Sequence, residues 1–348
     1  MGINKKAFFF ILCSLFAASL AGIIVLFCKS VRSLALIVVT AALIVALAVL
    51  LIKYFLREAS AKMKAIAIPA ASVICAVTLF FTVIVGIAPL IIFPVNHSSY
   101  EYETLSKMAQ EENSRVVAVN AGGFNGWRLK ASSVAEGEAR PVVLFFMGNG
   151  MNSSRTALMF YKDNDKHYAG FSDVSDIVFI DYPGYGINDG VPADDSLREM
   201  ALAAYDEVAS WSTTSEVISF GYSIGTGPAT YLASERDVAG LILWAPYASS
   251  YDIYNNIMNI FHGPIKIMVR YQMDSYKYIR DVNCPVMIFA SDSDELIPFQ
   301  SSRDLFANAG SSSADFVTVP GLSHGDFLLE DMVLEDSIDF IKKLVSDI

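Results

Sequence analysis

The sequence predicts an α/β domain, a mostly parallel sheet with helices on both faces, preceded by three membrane-spanning helices. Three observations lead there. Long apolar runs are confined to the first 93 residues. Beyond them, short continuous apolar runs alternate with stretches of helical spacing, as strands buried on both faces alternate with the helices that cover them. Segments rich in Gly, Pro, Asn and Asp separate the two kinds of run.

The apolar runs cover about residues 7–27, 34–52 and 65–93. Each reaches the roughly 20 apolar residues needed to cross the hydrocarbon core. The first is too long for the 7–15-residue core of a signal peptide, so it reads as a span. With the N-terminus inside, Lys5, Lys6, Lys53, Arg57, Lys62 and Lys64 are cytoplasmic, whereas Lys29, Arg32 and Lys107 are outside. Cytoplasmic loops carry the excess of Lys and Arg, so the C-terminal domain is expected outside the cytoplasm, on an integral membrane protein. Residues 1–93 form the anchor, 94–115 a polar stalk, and 116–348 a globular domain.

Within that domain the elements follow in order. Val116–Val119 and Trp127–Ser132 flank Gly122-Gly123 and read as a hairpin. Val142–Phe146 is a buried strand that ends in Met147-Gly148-Asn149-Gly150, with a helix from near Asn152. Strands follow at Ile177–Ile180, Val217–Phe220, Leu241–Trp244, Val286–Phe289 and Phe316–Val319. Helices are expected over Asp195–Trp211, Ile224–Ala233 and Asp326–Val345, with Asp326 as the N-cap of the last. Residues 246–285 form an insertion between two strands, rich in Tyr, Met, Ile and Phe. It reads as a lid or pocket wall, or as packing for the domain core.

Charge excludes one class of partner. Residues 1–93 carry eight Lys/Arg and one acid, net +7, which leaves −18 for the rest of a chain whose total is −11. A strongly acidic domain repels a phosphate backbone, so no nucleic acid is expected. Of the cysteines, Cys13, Cys28 and Cys75 lie in or beside the apolar runs, and Cys284 alone is in the globular part. That precludes an internal disulfide there, and no metal-ligand spacing exists. Asn96-His97-Ser98 and Asn152-Ser153-Ser154 fit the glycosylation pattern, which matters only in a secretory lumen.

The chemistry centres on Gly221-Tyr222-Ser223-Ile224-Gly225, a G-x-S-x-G between a strand and a helix. A sharp strand-to-helix turn needs glycines beside the serine and exposes its oxygen at the helix N-terminus. A glycine-rich turn with an idle serine would look the same over five residues, so the neighbouring motifs decide.

From about Val116 to the C-terminus the chain resembles the α/β-hydrolase superfamily. It is most similar to the membrane-anchored lysophospholipase, monoacylglycerol lipase and protein-depalmitoylase type, with its serine-aminopeptidase-like profile. VVLFFMGNG, IDYPGYGINDG, GYSIGTGPA, PVMIFASDSDELIP and PGLSHGDF match that family's motifs in its order. The resemblance implies the α/β-hydrolase fold and a serine hydrolase of the carboxylesterase, lipase or thioesterase kind. It makes Ser223 the nucleophile, Asp294 the acid and His324 the base, with Asp292 and Glu295 as rivals of Asp294. The remaining histidines, His97, His167 and His262, are read as ordinary loop residues. The oxyanion hole would use the backbone N–H of Ile224, after the nucleophile, and, by family analogy, that of Asn149. Met147, Tyr222 and Tyr247 are expected to contact substrate.

Two positions depart from the family pattern. Met147 stands where a histidine usually braces the oxyanion loop, and Ser291 where a glycine often precedes the acid. The implied reaction is acyl transfer through an acyl-enzyme on an ester or thioester, without metal or cofactor. The insertion's apolar, Met-rich character suits a long acyl chain, and an anchor would hold the site near lipid. An aminopeptidase-type peptidase and a non-catalytic binding module with the same fold are the competing readings.

Overall fold

A computed structural model describes residues 99–346 apart from 134, 136, 163–167, 264–265, 267–268 and 270, together with scattered positions between 42 and 93. The chain divides into two compact units, Met1–Ile92 and Phe93–Ile348. Most positions of the three expected spans, and His97 and His167, lie outside the described residues. Among the described residues no helix is long and apolar enough to cross a membrane.

The second unit is an eight-stranded sheet. Its strands are β1 (Val116–Ala121), β2 (Phe124–Leu129), β3 (Arg140–Phe146), β4 (Asp176–Ile180), β5 (Thr214–Tyr222), β6 (Gly240–Trp244), β7 (Val286–Ala290) and β8 (Ala314–Thr318). The spatial order is β1-β2-β4-β3-β5-β6-β7-β8. β1 and β2 form the expected hairpin around Gly122-Gly123, and β2 runs antiparallel to β4. The other neighbours are parallel. β3, β4 and β6 are buried at every residue, which is why their sequences read as unbroken apolar runs.

Helix α1 (Ser99–Met108) precedes the sheet; α2 (Ser153–Tyr161), α3 (Ala169–Val174), α4 (Asp194–Ala209), α5 (Thr226–Glu235), α6 (Ser250–Ile257), α7 (Ser275–Tyr278) and α8 (Phe299–Ala307) occupy the crossovers, and α9 (Asp331–Ser346) follows the last strand. A parallel pair needs such a crossover, because the chain must return to the same end of the sheet before starting the next strand. On one face Phe145, Phe160, Phe171, Phe179, Phe220 and Trp244 form a connected aromatic core. Trp244 Nε1 donates to Ser337 Oγ of α9 at 3.0 Å, so the buried indole keeps a polar partner.

Three expectations are corrected. Residues 94–115 are not simply a polar stalk, because α1 forms within them. Leu105 of α1 is fully buried, and Tyr102 packs against Trp127 with ring centroids 5.6 Å apart. One apolar face every 3.6 residues suffices for that docking, and the polar remainder hid it. The last helix starts at Asp331, not Asp326. Asp326 lies in a 3₁₀ turn over His324–Leu328 and accepts from Ser323 Oγ at 2.5 Å. Asn152 is fully buried and caps α2 by accepting from Arg155 N at 2.8 Å, so its glycosylation pattern is closed in the folded chain.

The insertion contains α6 and α7. Tyr254, Phe261, Tyr271 and Met273 are buried, whereas Ile257 is 54% exposed and Met258 39%. Among the described residues these four therefore pack the core, with an apolar end left open. At the start of β4, inside the sheet, Asp176 is buried and receives Arg128 Nε at 2.6 Å and Ala131 N at 2.7 Å, with Arg140 Nε at 3.8 Å. That cluster lies at the N-terminal ends of the strands and serves structure.

Candidate active site

The C-terminal ends of the parallel strands converge on one place, as they do in open α/β sheets. β5 runs into Ser223, the loop after β7 carries Asp294, and the turn after β8 carries His324. Tyr222 is extended, but Ser223 turns to φ 53°. A non-glycine residue there is strained and must be held by its surroundings. The flanking glycines allow it. A Cβ at Gly221 would stand 2.6 Å from Gly225 O, and one at Gly225 would stand 2.1 Å from Phe146 O. The elbow thus rests directly on the end of β3, backbone against backbone.

His324 Nε2 lies 2.8 Å from Ser223 Oγ, and its Nδ1 lies 2.8 Å from Asp294 Oδ2. Ser223 and His324 are each 6% exposed. Asp294 Oδ1 accepts from Leu296 N and Ile297 N, both at 2.8 Å, so a buried carboxylate keeps a full set of partners. The arrangement can move a proton from a serine oxygen to a nitrogen whose tautomer a carboxylate sets.

The two rivals of Asp294 have other contacts. Asp292 Oδ1 accepts from Gly321 N at 2.9 Å, and that bond holds its carboxyl below the usual range. Glu295 Oε2 accepts from His324 N at 3.1 Å. Ser291, at the position of the expected glycine, donates to Leu322 O at 2.6 Å. Its φ is not positive, so a side chain is tolerated. Asp292, Asp294, Glu295 and Ser291 therefore all tie the acid loop to the histidine loop.

The loop expected to supply the second oxyanion donor runs from Met147 to Gly150. Met147 is fully buried, so its side chain belongs to the core. The missing histidine has a counterpart: Tyr182 donates its hydroxyl to Met147 O at 2.5 Å. Burial pushes the Tyr182 phenol far above its ordinary range, so it remains a donor. The peptide before Gly148 is thus fixed, and with it the path to Asn149. Tyr182 comes from Asp181-Tyr182-Pro183-Gly184-Tyr185-Gly186, a motif visible in the sequence whose role its spacing does not reveal. Asp181 Oδ1 also accepts from Ser153 N at 2.6 Å, tying that loop to the start of α2.

On the elbow side, Tyr247 donates to Ile224 O at 3.2 Å and also bonds Tyr271. Tyr247 is fully buried and Tyr222 is 5% exposed. Both, expected to touch substrate, donate their hydroxyls to backbone carbonyls, Tyr222 to His324 O and Tyr247 to Ile224 O. His262 bonds Asn259 Oδ1 away from these residues. Among the described residues no group of three His, Cys, Asp or Glu side chains could hold a metal ion.

No family model matches the chain. It is 31% identical over 221 residues to an uncharacterized protein of Mycobacterium tuberculosis, Rv2307c, across 62% of this chain and 73% of that one. It is 27% identical over 201 residues to the alpha/beta hydrolase domain-containing protein aho-3 of Caenorhabditis elegans, across 57% of each. Among solved structures it resembles Est1E of Butyrivibrio proteoclasticus bound to ferulic acid, with a TM-score of 0.50 at 16% identity, over 66% of this chain and 98% of that one. The last likeness is one of fold.

Proposed function

We propose, for a chain that belongs to the α/β-hydrolase superfamily, that it is a serine hydrolase cleaving carboxylic ester or thioester bonds of a long-chain acyl substrate near a membrane. The observation that carries this reading is the unbroken hydrogen-bonded line from Ser223 Oγ through His324 to Asp294. Ester hydrolysis in general accords with the fold; the acyl chain and the membrane are the finer parts of the proposal.

In this reading the steps are those of acyl transfer. Ser223 Oγ attacks the carbonyl carbon while His324 Nε2 takes its proton. The carbonyl oxygen becomes negative and is met by the N–H groups of Ile224 and Asn149. His324 then gives the proton to the leaving alcohol or thiol, and the acyl group stays on Ser223. Water, deprotonated by His324, attacks the acyl-enzyme. The tetrahedral intermediate collapses, the acid leaves, and the proton returns to Ser223. Asp294 stays ionised and stabilises the imidazolium formed in each half.

The long acyl chain is supported by the insertion, whose apolar end exposes Ile257 and Met258. The membrane setting is supported by the three apolar runs of the first 93 residues. In that setting the catalytic domain lies outside the cytoplasm. A reporter fused after Ile348 is then active only outside; activity confined to the cytoplasm overturns this topology.

Membranes expressing the chain are treated with a fluorophosphonate probe, beside Ser223→Ala and with acyl esters of rising length as competitors. The expected result is labelling of the wild type alone, suppressed best by long chains. A folded wild type that takes no label refutes the hydrolase reading and leaves the binding module. Competition by short esters only would remove the long-chain part.

A further inference from the structure

The ties of the histidine loop described above run to the acid loop after β7. They set the Asp294–His324 geometry. None of them sets the distance from His324 to Ser223, which stands on a different strand. One side chain makes that link. Tyr222, the last residue of β5 and the neighbour of Ser223, donates its hydroxyl to His324 O at 2.8 Å. Its ring stacks on the imidazole, with centroids 5.5 Å apart and planes 23° from parallel. The same ring lies against the oxyanion loop, where a Cβ at Gly148 would fall 2.7 Å from two of its carbons. Trp244 meets it edge-on at 6.5 Å. Burial, seconded by the charges of Asp294 and Glu295, raises the Tyr222 phenol well above its ordinary range, so it donates throughout neutral pH.

We propose that Tyr222 is a positioning residue: it locks the His324 imidazole against the elbow that carries Ser223 and seats the oxyanion loop on the same ring. This rests on the serine hydrolase reading above. The backbone explains why position 222 can do it. Tyr222 is extended, so its side chain leaves the strand on a fixed face, and the left-handed turn at Ser223 sends the nucleophile elsewhere. Two adjacent residues thereby hold the nucleophile and the seat of its base.

The test compares wild type, Tyr222→Phe and Tyr222→Leu in the full chain. A p-nitrophenyl ester gives kcat and KM, a fluorophosphonate gives the maximal inactivation rate, and circular dichroism checks folding. Misplacement of a reacting group by about 1 Å costs on the order of 100-fold. Tyr222→Leu is therefore expected to lower kcat and the inactivation rate together by about 100-fold, with KM within about twofold of wild type. Tyr222→Phe keeps the ring and is expected to recover most of that loss, remaining about 3- to 10-fold below wild type. A folded Tyr222→Leu with wild-type kcat overturns the proposal. So does a raised KM at unchanged kcat, which would make Tyr222 a substrate contact. If Tyr222→Leu does not fold, Tyr222→Phe decides: full wild-type kcat and inactivation rate overturn the link to His324. A wild type inert to the fluorophosphonate fails before any variant is compared, and it refutes the hydrolase reading separately.

Discussion

Asp194 offers a test of how the insertion is fastened to the rest of the domain. It opens α4, and its Oδ1 accepts from Gln272 N at 2.7 Å. Gln272 sits between Tyr271, which bonds Tyr247 beneath the elbow, and Met273, which is fully buried. Burial pushes the Asp194 carboxyl up to about 6, against the Gln272 N–H and Arg198, which pull it down. A carboxyl raised in the folded state binds its proton more tightly folded than unfolded. Its contribution to stability is therefore complete below about 4 and is lost as pH rises to about 6, after which stability stays level. The gap from 3.8 to about 6 is worth about 3 kcal/mol at 1.36 kcal/mol per pH unit. Partial exposure and screening reduce this to about 1–2 kcal/mol. Asp194→Asn keeps the acceptor for Gln272 N and removes the ionisation. Relative to wild type, the variant should gain about 1–2 kcal/mol between pH 4 and pH 7.5, which is several degrees in Tm for a domain of this size. Thermal melts of both proteins across that range measure the difference. Parallel curves with a constant offset would refute the linkage and mean that Asp194 is solvated in the folded state.

Other perturbations address the site and the core. Asp294→Asn should keep the fold but lower kcat by on the order of 10³–10⁴, because the imidazole loses the partner that sets its tautomer; ester hydrolysis and circular dichroism together check this. Tyr182→Phe leaves Met147 O without its hydroxyl donor. We expect a loss of about 1–3 kcal/mol in stability and roughly 10-fold in kcat; urea unfolding and ester kinetics test both, and unchanged kinetics would remove Tyr182 as the brace. Leu105→Ala should cost about 2–5 kcal/mol, since that side chain is fully buried in α1; a change below about 0.5 kcal/mol by urea unfolding would show that α1 does not dock.

Most strands and the helices between them were legible in the sequence because they rest on local rules, and the family was legible through motifs that resemble it. Strands buried on both faces are apolar along most of their length, so β3, β4 and β6 announced themselves by Val142–Phe146, Ile177–Ile180 and Leu241–Trp244. The strained turn at Ser223 admits only small flanking residues, so the G-x-S-x-G was readable with its strand before it and helix after it. Val116–Val119 and Trp127–Ser132 read as a hairpin because two glycines lie between two short runs, and the second strand proves to be Phe124–Leu129. The elements that went astray were those whose role is set by distant partners. α1 looks like a polar stalk because a single docked face, centred on Leu105, is enough to hold it. Asp326 looks like a helix cap, but the chain closes a 3₁₀ turn there first and delays α9 to Asp331.

The same division holds inside the site. The G-x-S-x-G between a strand and a helix nominated Ser223, and the resemblance to the α/β-hydrolase motifs nominated Asp294 and His324. Spacing could not say what Tyr182, Tyr222 and Tyr247 do. Each is a large aromatic residue beside a motif, a pattern that fits a pocket wall as well as a brace. Their role depends on which carbonyl each hydroxyl meets, at separations of 35, 102 and 23 residues along the chain. Only the folded sheet brings those carbonyls within reach, because parallel crossovers carry residues far apart in sequence to the same edge. A buried hydroxyl must find an acceptor, but which one is a property of the tertiary structure alone.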